Sequence, residues 1–139
     1  EITAPGVSIM VADVGTGDGL APASGTSFSG PITAGAAALV RGALPERNAF
    51  EIKATMMNTA NMTVHRLPPA IFPDTTLAPI SMIGAGLVDV EKALSLPVAA
   101  WVNDAEYNTQ QAALSFGLMN LTAPASVKNR HAPYDAAFP

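Results

Sequence analysis

The chain has 139 residues, the length of one small domain, and only 13% of them are charged, against roughly 25% in an average soluble domain. Seven basic residues stand against eleven acidic ones without a basic cluster, so nucleic acid is a poor partner. The longest apolar stretch, Ala34–Val40, is far shorter than the ~20 residues that cross a bilayer, and no membrane span is expected. Cysteine is absent from the sequence, which excludes disulfides, thiolate metal sites and a thiol nucleophile.

The first part of the sequence predicts a strand, a loop and a long helix. Thr3–Val11 is typical of a turn followed by a short apolar strand, and Gly15–Ser24 has the glycine content of a loop. The pattern from Ser27 to Leu44 predicts a helix with Pro31 in its first turn, where a missing N–H costs least. Because this helix has no polar face, we expect it to be buried, with neighbours that approach its alanines closely.

Two further helices are predicted downstream. Asn48–Ala60 begins with a residue suited to cap a helix, and Glu51 completes a pattern related to the capping box. The segment 61–83 contains four prolines and is interpreted as an irregular excursion. Gly86–Val90 predicts a short strand that leads into a third helix, Val90–Leu96.

A change of composition after Pro97 predicts a domain boundary near residue 98. Residues 1–97 form the first predicted unit, and residues 98–139 form the start of a β-rich module that ends unfinished. Within the second unit, Ala113–Met119 alternates like a strand, and a further strand is expected to begin at Ser126–Asn129.

The phrase from Ser24 to Pro31, Ser-Gly-Thr-Ser-Phe-Ser-Gly-Pro, is the segment that best fits catalytic chemistry. A serine hydroxyl becomes a good nucleophile only when its surroundings activate it. At the first turn of a helix, unpaired backbone N–H groups and the positive end of the helix dipole favour a developing oxyanion. Gly25 and Gly30 would let a substrate backbone come close. The structural alternative is that a serine or threonine at a helix start is simply an N-cap.

Other motifs fit the sequence less well. The nucleophile elbow of the α/β-hydrolases requires Gly-x-Ser-x-Gly, but a serine stands at position 29. The loop 15–19 lacks a third glycine in register, and it lacks the Lys-Ser/Thr ending of a phosphate-binding loop. A phosphate or nucleotide binder built on this loop is a minor alternative. So is a calcium site at Asp13, Asp18 and Gly19, because the ligand spacing is irregular.

Four segments, in the same order along the chain, resemble the motifs of the subtilisin-like serine proteases. The signature Gly-Thr-Ser-x-[Ala/Ser]-x-Pro, followed by an Ala-Gly-rich helix, surrounds the family's nucleophile and is present at residues 25–31. The other three matches are the strand before the serine (Ile2–Val7), the next helix (Ile52–Ala60) and the closing strand and helix (Gly84–Leu94).

Residues 98–139 are more weakly similar to the opening of the fibronectin-like β domain that follows the protease in some large secreted members.

The resemblance implies an α/β fold, of which this chain supplies the C-terminal part of a parallel-sheet domain flanked by helices. It implies a serine-type endopeptidase that hydrolyses protein or peptide substrates through an acyl-enzyme, without a cofactor or metal. Ser27 would be the nucleophile and its backbone N–H an oxyanion donor, with the Thr26 hydroxyl supporting the same oxyanion. Ser24 and Gly25 would lie along the substrate. A secreted or cell-surface location is also implied.

The sequence departs from the family pattern at several points. Phe28 stands where subtilisins often have methionine, and Ile32 where many have histidine. In the family the catalytic Asp and His precede the serine, yet His65 and His131 both follow Ser27. We therefore expect the chain to work with the upstream part of the same protease domain and to be inactive alone. The non-enzymatic alternative is a remnant that keeps only the structural framework.

Overall fold

The structure is a computed structural model that describes residues 1–67, 70–96, 99–104 and 109–113. The described residues mix helices with two small sheets, which is compatible with the predicted α/β class. In chain order they form β1 (Ile9–Ala12), β2 (Leu20–Ala23), α1 (Thr26–Ala43), α2 (Ala49–Asn58), α3 (Ile80–Ile83), α4 (Val90–Ser95), β3 (Val102–Asp104) and β4 (Thr109–Gln111).

Strands β1 and β2 form an antiparallel hairpin that leads directly into the candidate catalytic segment. Ile9 pairs with Ala23 at the open end of the hairpin. At the closed end, the Asp13 N–H donates to the Gly19 carbonyl oxygen at 2.8 Å. The hairpin thus delivers the chain to Ser24 as it leaves β2.

The loop predicted over Gly15–Ser24 is wrong for its second half, because β2 occupies residues 20–23. Pro22 hid this strand, since a proline cannot donate to a ladder and argues against a central strand. In the structure Pro22 pairs with Met10 in a two-stranded sheet, where each strand needs only one hydrogen-bonding edge.

Helix α1 begins and ends within one residue of its predicted bounds. The sequence placed Pro31 in the first turn, and this was wrong. Because the helix begins at Thr26, Pro31 is its sixth residue. A proline at this place cannot donate the usual hydrogen bond to the carbonyl of Ser27, four residues earlier. The first turn of α1 is therefore less firmly tied than an ordinary one.

Side-chain caps mark where helices α2 and α4 start. The predicted capping box of α2 is confirmed: the Glu51 N–H donates to Asn48 Oδ1 at 3.0 Å, and the Asn48 N–H donates to Glu51 Oε2 at 2.7 Å. Asp89 caps α4 in the same manner, since its carboxylate accepts from the Lys92 N–H at 3.0 Å. Helix α4 ends at Ser95, one residue before its predicted end.

The core lies where α1, α2 and α4 meet. Helix α1 was predicted to be buried on all sides, but within the described residues only Ala36 and Val40 of α1 are buried. Leu39 is 63% exposed. The reason is that the elements α2 and α4 cover one side of α1 alone. Among the described residues, the buried members of this cluster are Ala36, Val40, Ile52, Met56 and Ala93.

Strand pairing beyond the first hairpin is sparse. Among the described residues, the parallel pairing consists of one bridge, between Thr3 and Leu87. The predicted parallel sheet therefore remains a prediction, and the strand expected at Gly86–Val90 is reduced to the pairing of Leu87. The described residues of the excursion 61–83 are irregular as predicted, apart from the short α3 and two antiparallel bridges, His65 with Leu77 and Asn61 with Leu87.

After residue 98, β3 and β4 pair as an antiparallel hairpin. The ring of Trp101 meets Phe50 of α2 edge to face, with 6.0 Å between centroids, and the Ala100 N–H donates to Asn58 Oδ1 at 2.8 Å. The strand predicted at Ala113–Met119 lies, apart from Ala113, outside the described residues, as does the one expected at Ser126–Asn129. The domain boundary near residue 98 remains a prediction.

Candidate active site

Ser27 is the second residue of α1 and is exposed to solvent. Gly25 is the N-cap, in an extended backbone conformation with φ 163° and ψ 160°, and no side chain caps the helix. Within the described part of the chain, the Ser27 hydroxyl has no hydrogen-bond partner. The structural alternative, in which a serine or threonine of this phrase serves as the N-cap, is therefore wrong for this helix.

The backbone around Ser27 offers donors to an incoming group. The N–H groups of the first turn have no acceptor within the helix, because the residue four positions earlier lies outside it. One of them, that of Phe28, turns back to the Gly25 carbonyl oxygen at 3.1 Å. The N–H groups of Thr26 and Ser27 precede it at the positive end of an 18-residue helix. This end of α1 can therefore stabilise a negative charge that develops beside Ser27.

The other predicted site residues adjoin Ser27 along the chain. Thr26 is exposed, and Ser24 is exposed immediately after β2. The Ser24 Oγ accepts a hydrogen bond from the Ser8 N–H at 2.9 Å, and the Gly25 N–H donates to the Gly6 carbonyl oxygen at 2.7 Å. Ser24, Gly25, Thr26 and Ser27 are consecutive in the chain, and two distant residues, Gly6 and Ser8, hold this segment by hydrogen bonds. The sequence did not single out Gly6 or Ser8 as site residues.

Gly6 was visible in the sequence only as part of the phrase Ala-Pro-Gly, and Ser8 carried no signal at all. Both contacts join residues that are far apart along the chain, so a local pattern could not reveal them. Ser8 has φ 54°, which is uncommon for a residue with a side chain.

Of the titratable residues considered in the sequence, His131 lies outside the described residues, and none of the others is hydrogen-bonded to the Ser27 hydroxyl. His65 is half-buried in its bridge with Leu77, while Asp13 and Asp18 are exposed in the loop of the first hairpin. Across the described ranges, no three His, Cys, Asp or Glu side chains form a group that could hold a metal ion. A general base for Ser27 is thus not found among the described residues that the sequence had singled out.

A mostly apolar cavity of about 280 Å³ lies between α1 and α2 and does not include Ser27. Its rim carries an ion pair between Lys53 and Glu1. The hydrogen bond from Lys53, together with its charge, lowers the pKa of the Glu1 carboxyl.

In the part of the chain that the structure describes, no helix is long and apolar enough to span a membrane.

A family model and two curated proteins that resemble this chain belong to the same family. The model of the Subtilase family matches residues 1–116. Subtilisin-like protease SBT3.11 of Arabidopsis thaliana is 30% identical over 145 residues, which cover 100% of this chain and 19% of that protein. A probable subtilase-type serine protease of Deinococcus radiodurans is 37% identical over 80 residues, which cover 46% of this chain and 11% of that protein.

Among solved structures, a chain of an intact ESX-5 inner membrane complex is 30% identical to this one. The match covers 87% of this chain and 22% of that chain, with a TM-score of 0.40, which is too low to support an argument about the fold. This chain spans less than a fifth of the length of the curated relatives named above. Because the family model matches most of its residues, the chain belongs to the subtilase family of serine-type peptidases.

Proposed function

We propose that this chain supplies the nucleophile segment of a subtilisin-like serine endopeptidase, with Ser27 as the nucleophile. The observation that carries the proposal is the state of Ser27 at the start of α1. Ser27 is exposed and its hydroxyl does not cap the helix, while its backbone N–H lies in the turn whose donors lack helical acceptors. Membership of the subtilase family supports the same assignment.

In this proposal the Ser27 Oγ attacks the carbonyl carbon of the scissile peptide bond while a general base takes its proton. The carbonyl oxygen becomes an oxyanion, which accepts hydrogen bonds from the Ser27 N–H and from the Thr26 hydroxyl. The C–N bond then breaks as the protonated base returns its proton to the leaving amine, and an acyl-enzyme ester remains on Ser27. Water, activated by the same base, hydrolyses that ester and restores the hydroxyl.

The base is proposed to come from the upstream part of the same protease domain, because family members place the catalytic Asp and His before the serine. That upstream part would also complete the parallel sheet and much of the substrate cleft, beside Ser24 and Gly25. The substrate would be a protein or peptide, and the enzyme would be secreted or exposed at the cell surface. Cleavage would need no cofactor and no metal at the reaction centre.

A fluorophosphonate probe tests the proposal, because it forms a stable bond only with a serine that an adjacent base has activated. The chain joined to its natural upstream sequence should hydrolyse casein and take up the probe at Ser27, as peptide mass spectrometry can verify. Ser27→Ala should abolish both. Ser81→Ala, which removes an exposed hydroxyl in α3, is the matched control and should change neither.

The competing proposal is a remnant that keeps the framework of the family without its chemistry. A folded protein that contains both the upstream sequence and this chain, yet neither labels nor hydrolyses casein, would establish the remnant. Labelling of Ser27 in the 139-residue chain alone would refute a different part of the account, namely the need for an upstream base.

A further inference from the structure

Residues 6–8, here termed the clamp segment, hold the chain on the N-terminal side of Ser27 by two hydrogen bonds. The Gly6 carbonyl oxygen accepts from the Gly25 N–H at 2.7 Å. The Ser8 N–H donates to the Ser24 Oγ at 2.9 Å. One bond thus fixes the backbone of the N-cap of α1, and the other fixes the side chain of the residue before it.

The backbone of Ser8 is held in an unfavourable conformation while it makes this contact. Among the described residues, Ser8 is the one non-glycine residue with a positive φ, at 54°. Such a conformation costs free energy for a residue with a side chain, and it persists only where surrounding contacts impose it. Here the conformation accompanies an N–H that donates to Ser24, immediately before the candidate oxyanion site.

Gly6 packs so closely on the first turn of α1 that a side chain would not fit. A Cβ atom built on Gly6 would collide with the Oγ of Ser29 and would lie 2.9 Å from the Gly25 carbonyl oxygen. The Cβ of Ser29 itself would be 3.5 Å away, an ordinary contact distance. The clamp segment therefore contacts the nucleophile turn on two sides, at its N-cap and at Ser29.

We propose that the clamp segment positions the nucleophile turn, and that Ser8 is a positioning residue that acts through Ser24. The inference rests on the proposed function, because the geometry it protects is that of Ser27 as a nucleophile. Helix α1 cannot fix its own start by side-chain capping, since its N-cap is Gly25, and Pro31 withholds a hydrogen bond from the Ser27 carbonyl. The clamp segment supplies the missing restraint from outside the helix.

Positioning differs from simple support in what it does to kinetics. A displaced oxyanion donor weakens binding of the transition state more than binding of the substrate, so kcat falls while KM changes little. A displacement of 1 Å can cost about 100-fold in rate, and loss of one clamp bond should cost less, on the order of 10-fold. A residue that only stabilises the fold changes the melting temperature and the fraction of active sites, but not kcat per active site.

The first experiment removes the acceptor of the Ser8 N–H in the protease that contains this chain and its upstream sequence. Ser24→Ala should lower kcat per titrated active site on the order of 10-fold with little change in KM. Ser24→Thr keeps the accepting oxygen and adds a methyl group at an exposed position, so it should retain most of the activity. Ser81→Ala, in α3, controls for loss of an exposed serine hydroxyl.

Two results would overturn the inference. One is an unchanged kcat per active site in Ser24→Ala, with or without a lower melting temperature. The other is an effect confined to KM, which would mean that Ser24 only contacts the substrate in the ground state. Absence of probe labelling in the unmodified protease is distinguishable from both, because it would refute the proposed function and this inference together.

A second experiment leaves the side chain of Ser24 untouched. Gly6→Ala should lower kcat per active site, because its methyl group forces the Ser29 side chain and the Gly25 carbonyl away. Adding Ser29→Ala removes the nearest colliding atom and should restore part of the lost kcat, with Ser29→Ala alone as the reference. A double variant no more active than Gly6→Ala would show that close packing at Ser29 does not set the geometry of the turn.

Discussion

Thr3 pairs with Leu87 in a parallel bridge, in which the Thr3 N–H donates to the Gly86 carbonyl oxygen at 2.8 Å. The Val88 N–H in turn donates to the Thr3 carbonyl oxygen, also at 2.8 Å. Leu87 also pairs in antiparallel fashion with Asn61, so three distant segments meet at this residue. This junction anchors the chain segment that continues into the clamp segment. The geometry beside Ser27 thus depends on residues close to α4.

Gly86→Ala should destabilise this junction. Gly86 has φ 123°, and a Cβ atom there would lie 2.5 Å from the Asn61 carbonyl oxygen. The backbone strain alone is about 1–3 kcal/mol, and the collision adds to it. Denaturant unfolding of the protease that contains this chain should record the loss, together with lower activity. Gly42→Ala is the control, because nothing lies within 4 Å of its Cβ position in α1; it should be neutral or slightly stabilising.

The sequence predicted those features that depend on neighbouring residues. The capping box at Asn48 and Glu51 joins groups three positions apart, and the bounds of α1 follow from a run of helix-forming alanines. The contact between Ser8 and Ser24 was out of reach, because it joins two ordinary serines across a hairpin whose second strand was hidden by Pro22. Long-range pairing is decided by tertiary contacts, which a local pattern does not encode.

The candidate site, too, was predicted only in part from the sequence. Ser27 could be placed at a helix start because its surroundings match a signature in sequence, and the helix does begin one residue before it. The placement of Pro31 in the first turn was wrong, because a turn holds about 3.6 residues and Pro31 is the fifth residue even of a helix that begins at Ser27. Burial of α1 was overestimated because an apolar helix predicts that partners exist, and α2 and α4 cover only one side.

The exposed side of α1 gives a test of the upstream partner. If upstream residues cover this side, Leu39→Ala in the complete protease removes a buried side chain and should cost about 2–5 kcal/mol of unfolding free energy. In the structure Leu39 is 63% exposed, and truncation of an exposed side chain changes stability by only about 0.5 kcal/mol. Denaturant titration distinguishes the two values.

Val14→Ala supplies the reference for Leu39→Ala, since Val14 is 97% exposed at the tip of the first hairpin. We expect Val14→Ala to have little effect on stability or on activity. Equal, small effects of the two truncations would mean that the upstream sequence does not pack against this part of α1. The proposed partnership would then have to use another surface.

Asp89 should make the stability of the complete protease depend on acid pH. The Lys92 N–H that its carboxylate accepts lowers the pKa of Asp89 in the folded protein, and the Lys92 ammonium group acts in the same direction. Its contribution is therefore complete above the unfolded pKa of about 3.9 and is lost as the pH falls through the lower folded pKa. Asp89→Asn keeps a capping oxygen but does not titrate.

Unfolding measured between about pH 6 and pH 2 should accordingly depend less steeply on pH in Asp89→Asn than in the unmodified protein. Part of the acid sensitivity should remain, because Glu1 also has a lowered pKa through its contact with Lys53. Glu91→Gln, which removes a neighbouring exposed carboxylate, is the matched control. Identical pH profiles for Asp89→Asn and the unmodified protein would contradict the role given to the cap.

The hydroxyl of Thr26 should matter for the rate of acylation more than for binding. Thr26 is exposed in the first position of α1, directly before Ser27, and it does not cap the helix. Loss of a full oxyanion donor costs about 10²–10³ in kcat, and a supporting hydroxyl should cost less, on the order of 10- to 100-fold. Thr26→Val keeps the shape of the side chain and removes the hydroxyl, whereas Thr26→Ser keeps the hydroxyl and removes the methyl group.

In the complete protease we expect Thr26→Val to lower kcat with little change in KM, and Thr26→Ser to remain close to the unmodified enzyme. Pre-steady-state release of a chromogenic leaving group measures the acylation step directly. Should Thr26→Ser lose as much activity as Thr26→Val, the methyl group and not the hydroxyl would be the part that counts, and the oxyanion role proposed for Thr26 would be wrong.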